Sequence, residues 1–181
     1  MHATEYAILA VGWIAWLLPF FLAKRNSGSA QIVDRRARWG VVLVAIAYSI
    51  LWQSRFWEMQ FQAWRVGLSV FFFILAPLLS WTSLRALGRQ WRIDAGLNAN
   101  HQLVVSGPYR MVRHPIYTSM LCIILATGSM VAPMLLLVVS VTVFIIGTEI
   151  RVRIEDALLA ARFGAQFQAY RRRVPAYIPF I

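Results

Sequence analysis

The chain has 181 residues, 60% of them hydrophobic, with 18 Lys and Arg against 7 Asp and Glu. Its mean hydropathy of +0.61 is more than a single soluble core of this size could hide, so much of the apolar surface must face lipid. The formal charge of +11 would point to nucleic acid in a soluble domain, but here the basic residues fall between apolar runs, as in cytoplasmic loops, and imply no nucleic-acid partner.

A bilayer core calls for roughly 20 apolar residues per helix, and about five stretches qualify. The first covers residues 6–23; no Lys or Arg precedes it and Lys24 and Arg25 follow, so it reads as a retained anchor rather than a signal peptide. A second covers residues 39–57 and is closed by Arg55 and Glu58. The third, residues 66–84, contains Pro77, which removes a backbone donor and predicts a kink. Residues 85–115 follow as a polar stretch too long for a mere connector. The apolar run 116–148 carries Gly128, Ser129 and Pro133 near its middle and reads as two helices joined by a very tight turn. Beyond it Ile150, Ile154, Leu158 and Phe163 recur near helical spacing before Gly164, so the fifth helix is expected to continue out of the membrane. Residues 174–181 are broken by proline and should lie extended against the body of the protein.

The expected fold is therefore an all-α integral membrane protein with about five transmembrane helices and a cytoplasmic helical tail. Residues 1–84 would supply three helices, and residues 85–181 the functional region with a helical hairpin. Arginines concentrate in the first loop, the third loop and the tail, while the fourth loop has no charge. The positive-inside rule then places the amino terminus outside and the tail in the cytoplasm, at an inner membrane. The single cysteine, Cys122, lies in an apolar run and can build neither an intrachain disulfide nor a zinc cluster; no metal site is expected.

Ionisable groups at a membrane boundary are costly unless paired, so their concentration marks candidate function. Two concentrations stand out. In residues 101–117, Gly107-Pro108 is a turn and Pro115 suits the first position of a helix, which puts His114 at its cap. In residues 151–156, Arg151 and Glu155 are four apart and Arg153 and Asp156 three apart, so each pair can meet on a helix surface.

Together these patches resemble the isoprenylcysteine carboxyl methyltransferase family and its phospholipid N-methyltransferase relatives. The resemblance rests on Leu87-Gly-Arg-Gln-Trp91, His101-x-Leu-Val, Gly107-Pro-Tyr-Arg, Arg113-His-Pro-x-Tyr117, Arg151-x-Arg-x-Glu-Asp156, Phe163-Gly164, Tyr170 and Val174-Pro. It covers roughly the second half of the chain. It implies methyl transfer from S-adenosyl-L-methionine to a lipophilic acceptor, a carboxylate or an amine, at the membrane surface. No glycine-rich strand-to-helix loop is present, which excludes a Rossmann-type methyltransferase.

The chemistry of the cofactor can be matched to residues. Glu155 is the natural partner of its ammonium, through a charge-assisted hydrogen bond. Tyr109 and Tyr117 could lie over the sulfonium or adenine. By resemblance His101, Gln102, Leu103 and Val104 would hold the nucleoside, with His114, Pro115 and Ile116 completing that wall. Arg151 would orient the acceptor, since its planar donors suit a carboxylate or phosphate. A carboxylate acceptor needs no base; for an amine or phenol, His114 or Asp156 would serve. Arg151, Glu155 and His114 are the expected catalytic set. Two positions depart from the family pattern: Ser119 stands where glycine is usual, and Glu155-Asp156 where two glutamates are usual. The alternatives are an NADPH-dependent membrane reductase, with Arg89, Arg92 and Arg110 as phosphate ligands, and a non-catalytic protein whose basic loops bind anionic lipid.

Overall fold

The computed structural model describes residues 3–23, 32–53, 62–92, 96–97 and 101–178. Six α-helices account for most of these: α1 (Ala3–Leu22), α2 (Ala37–Leu51), α3 (Ala63–Leu87), α4 (Pro115–Val131), α5 (Met134–Phe163) and α6 (Ala165–Arg173). Three helices, α1 from Thr4, α3 and α5, are long and apolar enough to cross a membrane, and α2 and α4 are shorter apolar helices. The all-α membrane fold is as expected, and the charges Lys24, Arg25, Arg55 and Glu58 lie outside the described residues.

The sidedness of α3 shows why lipid is the solvent. Trp64, Leu68, Phe71, Ile74 and Leu78 form an exposed stripe, while Ser69, Ser80 and Ser83 are fully buried. That arrangement inverts the soluble pattern and is stable only where the outer surroundings are as apolar as the side chains. The buried face of α3 packs on α1 and α4, while α2 packs on α5. At the crossing of α2 and α5 a Cβ on Gly40 would lie 2.5 Å from the carbonyl oxygen of Gly147, so two glycines let the backbones touch. Ile123, Ile124, Ala126 and Thr127 of α4 are completely enclosed, which makes α4 the centre of the bundle.

The run 116–148 does divide in two: α4 ends at Val131 and Pro133 caps α5. α3 continues through Pro77 within one uninterrupted span. α5 extends well past Thr148 to Phe163, where Gly164 adopts φ 51° and ends it, a conformation that suits glycine. An element absent from the sequence reading is a short antiparallel pair, β1 (Ile32–Val33) with β2 (Gly96–Leu97), which ties the first loop to the third.

Candidate active site

Pro115 opens α4, and its missing N–H falls where no helical partner exists. His114 occupies the cap, but its side chain makes no cap hydrogen bond. Its ring is instead held between two neighbouring carboxylates of α5: Nδ1 is 3.3 Å from Glu155 Oε2, and Nε2 is 2.9 Å from Asp156 Oδ1. Both carboxylates lie beyond the apolar run that ends at Thr148. A ring with a carboxylate at each nitrogen is satisfied as an imidazolium donating twice. Burial opposes that charge, but the bonds to Asp156 and Glu155 outweigh it and raise the His114 pKa above 6.5. Burial likewise opposes ionisation of the two acids, yet His114 on both, Arg151 at Glu155 and Arg113 at Asp156 hold them below their ordinary carboxylate values.

One helical turn along α4, the Tyr117 hydroxyl donates to Glu155 Oε1 and accepts from Arg151 Nε at 2.6 Å. Arg151 Nη2 closes the triangle on Glu155 at 3.1 Å, the predicted i,i+4 pair. Its stem fits because Gly40 of α2 has no side chain: a Cβ there would lie 2.6 Å from Arg151 Cγ. The second predicted pair is not made. Arg153 is exposed and bonds Glu149 at 2.8 Å, whereas Asp156 faces the other way, 2.8 Å from Arg113 Nη2. Helical spacing allowed Arg153 to meet Asp156, but Arg113 and His114, more than forty residues earlier in the chain, compete for that carboxylate in a buried setting.

Arg113, His114, Tyr117, Arg151 and Glu155 face a cavity of about 410 Å³, within the usual size range of small-molecule sites. Of the residues singled out in the sequence, His101, Gln102, Leu103, Val104, Tyr109, His114, Ile116, Tyr117, Arg151 and Glu155 line it. Pro115 does not; it is fully buried and serves to start the helix. His101 presents a buried Nδ1 without a hydrogen-bond partner, and burial with the charges of Arg162 and Arg92 lowers its pKa, so the ring is neutral and free to accept or donate. A nucleoside edge would satisfy that orphaned atom.

The sequence reading placed the site wholly in the second half of the chain. The structure adds Trp16, Leu17 and Phe20 of α1 and Val41 and Val44 of α2 as an apolar side of the cavity. Trp16 Nε1 donates to Ser119 Oγ at 3.2 Å, and Ser119 donates to the Ile116 carbonyl at 2.7 Å. The serine that departs from the family pattern thus fixes an indole against the cavity. The spacing of Trp13, Trp16 and Phe20 on one helix face was the available signal. Val41 is 46% exposed although it lines the cavity, so the apolar side reaches the outer surface at α2.

A sequence profile of the Isoprenylcysteine carboxyl methyltransferase (ICMT) family matches residues 68–161. That span begins within α3 and stops before α6, so Tyr170 and Val174-Pro lie beyond it. The chain is 32% identical over 142 residues to the cobalt-zinc-cadmium resistance protein CzcN of Cupriavidus metallidurans, covering 78% of this chain and 62% of that protein. It is 30% identical over 121 residues to protein-S-isoprenylcysteine O-methyltransferase B of Arabidopsis thaliana, covering 65% of this chain and 61% of that one. A shorter similarity, 39% over 71 residues, covers 39% of this chain and 26% of methanethiol S-methyltransferase 2 of Bradyrhizobium diazoefficiens. The chain spans about three fifths of the length of the first two relatives.

Proposed function

From a chain that belongs to the isoprenylcysteine carboxyl methyltransferase family, we propose an integral membrane, S-adenosylmethionine-dependent methyltransferase acting on a lipophilic acceptor at the cytoplasmic surface. The observation that carries this reading is the convergence of Arg151, Tyr117 and His114 on the single carboxylate Glu155 at the wall of one cavity. When bound, S-adenosylmethionine supplies an electrophilic methyl group on a sulfonium. Glu155 receives its ammonium, and the 101–104 segment, with the orphaned Nδ1 of His101, receives the nucleoside. Tyr109 and Tyr117, both buried, offer ring surface to the cation. Enclosure and alignment supply the catalysis, since an in-line displacement mainly needs its partners held in a dry, fixed geometry.

The acceptor enters on the apolar side formed by α1 and α2, with its reactive end toward Arg151. Among the described lining residues, Arg92, Arg113 and Arg151 outnumber the one carboxylate, Glu155, and with His114 as an imidazolium the cluster stays net positive after Arg113 pairs with Asp156. That surplus favours an acceptor that reacts as an anion over an ammonium. His114, with both nitrogens engaged, is poorly placed to take a proton from an amine. A carboxylate or a thiolate fits both facts, and the relatives include an isoprenylcysteine O-methyltransferase and a methanethiol S-methyltransferase. The NADPH reductase alternative would use Arg89, Arg92 and Arg110; Arg92 lines the cavity, Arg110 is exposed and outside the lining, and the Arg89 side chain lies outside the described ones.

Calorimetry of the detergent-purified protein with S-adenosylmethionine, and NADPH as control, tests the reading. Saturable binding of the former alone is expected. Glu155→Gln and His114→Ala should each weaken it roughly tenfold to a hundredfold, the worth of one hydrogen bond to a charged group. Binding of NADPH alone, or of neither ligand, rejects the methyltransferase.

A further inference from the structure

The carboxylate proposed to receive the cofactor is itself the last member of a chain of contacts that begins in the C-terminal segment. The carbonyls of Arg171 and Val174 accept from Arg113 Nη1, the first at 3.3 Å. The backbone N–H groups of Arg113 and His114 donate to the carbonyls of Pro175 and Ala176 at 2.8 and 2.7 Å. Thr118 Oγ1 donates to the Tyr177 carbonyl at 2.6 Å, so residues 171–177 strap the start of α4 at five points. Arg113 then holds Asp156, Asp156 holds His114 Nε2, and His114 Nδ1 meets Glu155.

Asp156 is 4% exposed and does not line the cavity, so it reaches a ligand there only through its lining partners His114 and Arg113. A buried carboxylate is expensive unless its partners repay the lost solvation, and Asp156 has Arg113, His114 and, at 3.7 Å, Arg171. We propose that Asp156 is a positioning residue: strapped by the C-terminal segment through Arg113, it keeps His114 charged and oriented so that Glu155 is presented to the cofactor. The inference rests on the methyltransferase reading for the identity of the ligand, but the Asp156–His114 link can be measured without it.

The ionisable groups around the ring are Glu155, Asp156 and Arg151 of α5, Tyr117 of α4, Arg113 beside it, and Arg171 of α6 beyond Asp156. Two adjacent anions favour the imidazolium; removal of one lets the ring lose its proton at lower pH. A merely structural aspartate would, on removal, weaken ligand binding equally at every pH.

Histidine-selective NMR on the detergent-purified protein reads the ring directly, since the chain has 3 His. Between about pH 6 and about pH 8, where an ordinary imidazole deprotonates, the His114 ring should lose its proton at lower pH in Asp156→Asn than in the wild type. Calorimetry with S-adenosylhomocysteine should give Asp156→Asn near wild-type affinity at about pH 6 and about tenfold weaker binding at about pH 8, the factor that accompanies one pKa unit. Asp156→Glu should restore the flat profile. Arg113→Lys, a milder change that keeps the charge but loses the fork geometry, should show the same pH trend to a smaller extent and serves if Asp156→Asn does not fold. A wild-type His114 that is neutral over this range, a uniform loss at every pH, or an Asp156→Asn profile identical to wild type overturns the proposal. Failure of the wild type to bind S-adenosylhomocysteine rejects the methyltransferase reading instead, and the NMR titration still decides the Asp156–His114 link.

Discussion

At one end of α4, Arg65 of α3 donates to the carbonyls of Ser129 and Ala132 at 2.7 and 2.5 Å and approaches that of Gly128 at 3.4 Å. At the other end, Arg113 and Arg151 bond carboxylates that also hold His114 and Tyr117. Both ends bury arginine: Arg65 is 7% exposed and Arg151 9%. Arg65 sits where the helix leaves carbonyls without partners and where the macrodipole is negative, so it works as a cap. Arg65 donates to backbone oxygens and lies over the Trp64 ring at 5.8 Å, and it does not line the large cavity. A buried cation is therefore no sign of function by itself. What marks the other end is that its cations meet carboxylates at the edge of open space, an arrangement that packing alone does not require.

The largest expected effect separates the two ends. Arg65→Met orphans several buried acceptors and should cost about 3 kcal/mol of stability, the upper range for such a loss. It should leave cofactor affinity of the folded protein unchanged. Thermal melts in detergent, paired with calorimetry, check both halves; a loss of affinity without a loss of stability would erase the distinction between the ends.

A smaller effect comes from pH. The His114 pKa is raised on folding, so its contribution is complete below about 6.5 and is lost as pH rises through the folded value. Those of Glu155 and Asp156 are lowered, so their contributions are complete above about 4.5 and are lost as pH falls through the folded values. The melting temperature should then form a plateau between about pH 4.5 and about pH 6.5 and decline on both sides; the alkaline decline of Asp156→Asn, which starts from the same unfolded value, should be smaller and finish at lower pH. An alkaline limb identical in the two proteins would contradict the charged ring. The smallest effect concerns Arg153, whose pair with Glu149 is 78% and 39% exposed. Arg153→Ala should change stability by less than about 0.5 kcal/mol, the scale of exposed i,i+4 pairs, with ligand binding intact.

Much of the architecture was legible in local pattern. Helix positions follow from apolar runs, although α2 ends at Leu51 rather than near residue 57; the break between α4 and α5 follows from Pro133, the start of α4 from Pro115, and the end of α5 from Gly164. The Arg151–Glu155 pair follows from helical periodicity. These features depend on residues within a few positions of one another, where backbone geometry fixes what can meet.

Contacts between distant segments were not legible in this way. That Trp16 would meet Ser119, 103 residues away, or that Arg65 would cap a helix 64 residues further on, depends on how helices cross. The preference of Asp156 for Arg113 over Arg153 was decided by burial, since an ion pair gains most where water is scarce and its remaining bonds are satisfied. The sequence by itself determined the helices, their breaks and the residue types able to meet a charged ligand. Only the tertiary structure decided which of those residues share a cavity, because helix packing sets distances between side chains that lie far apart along the chain.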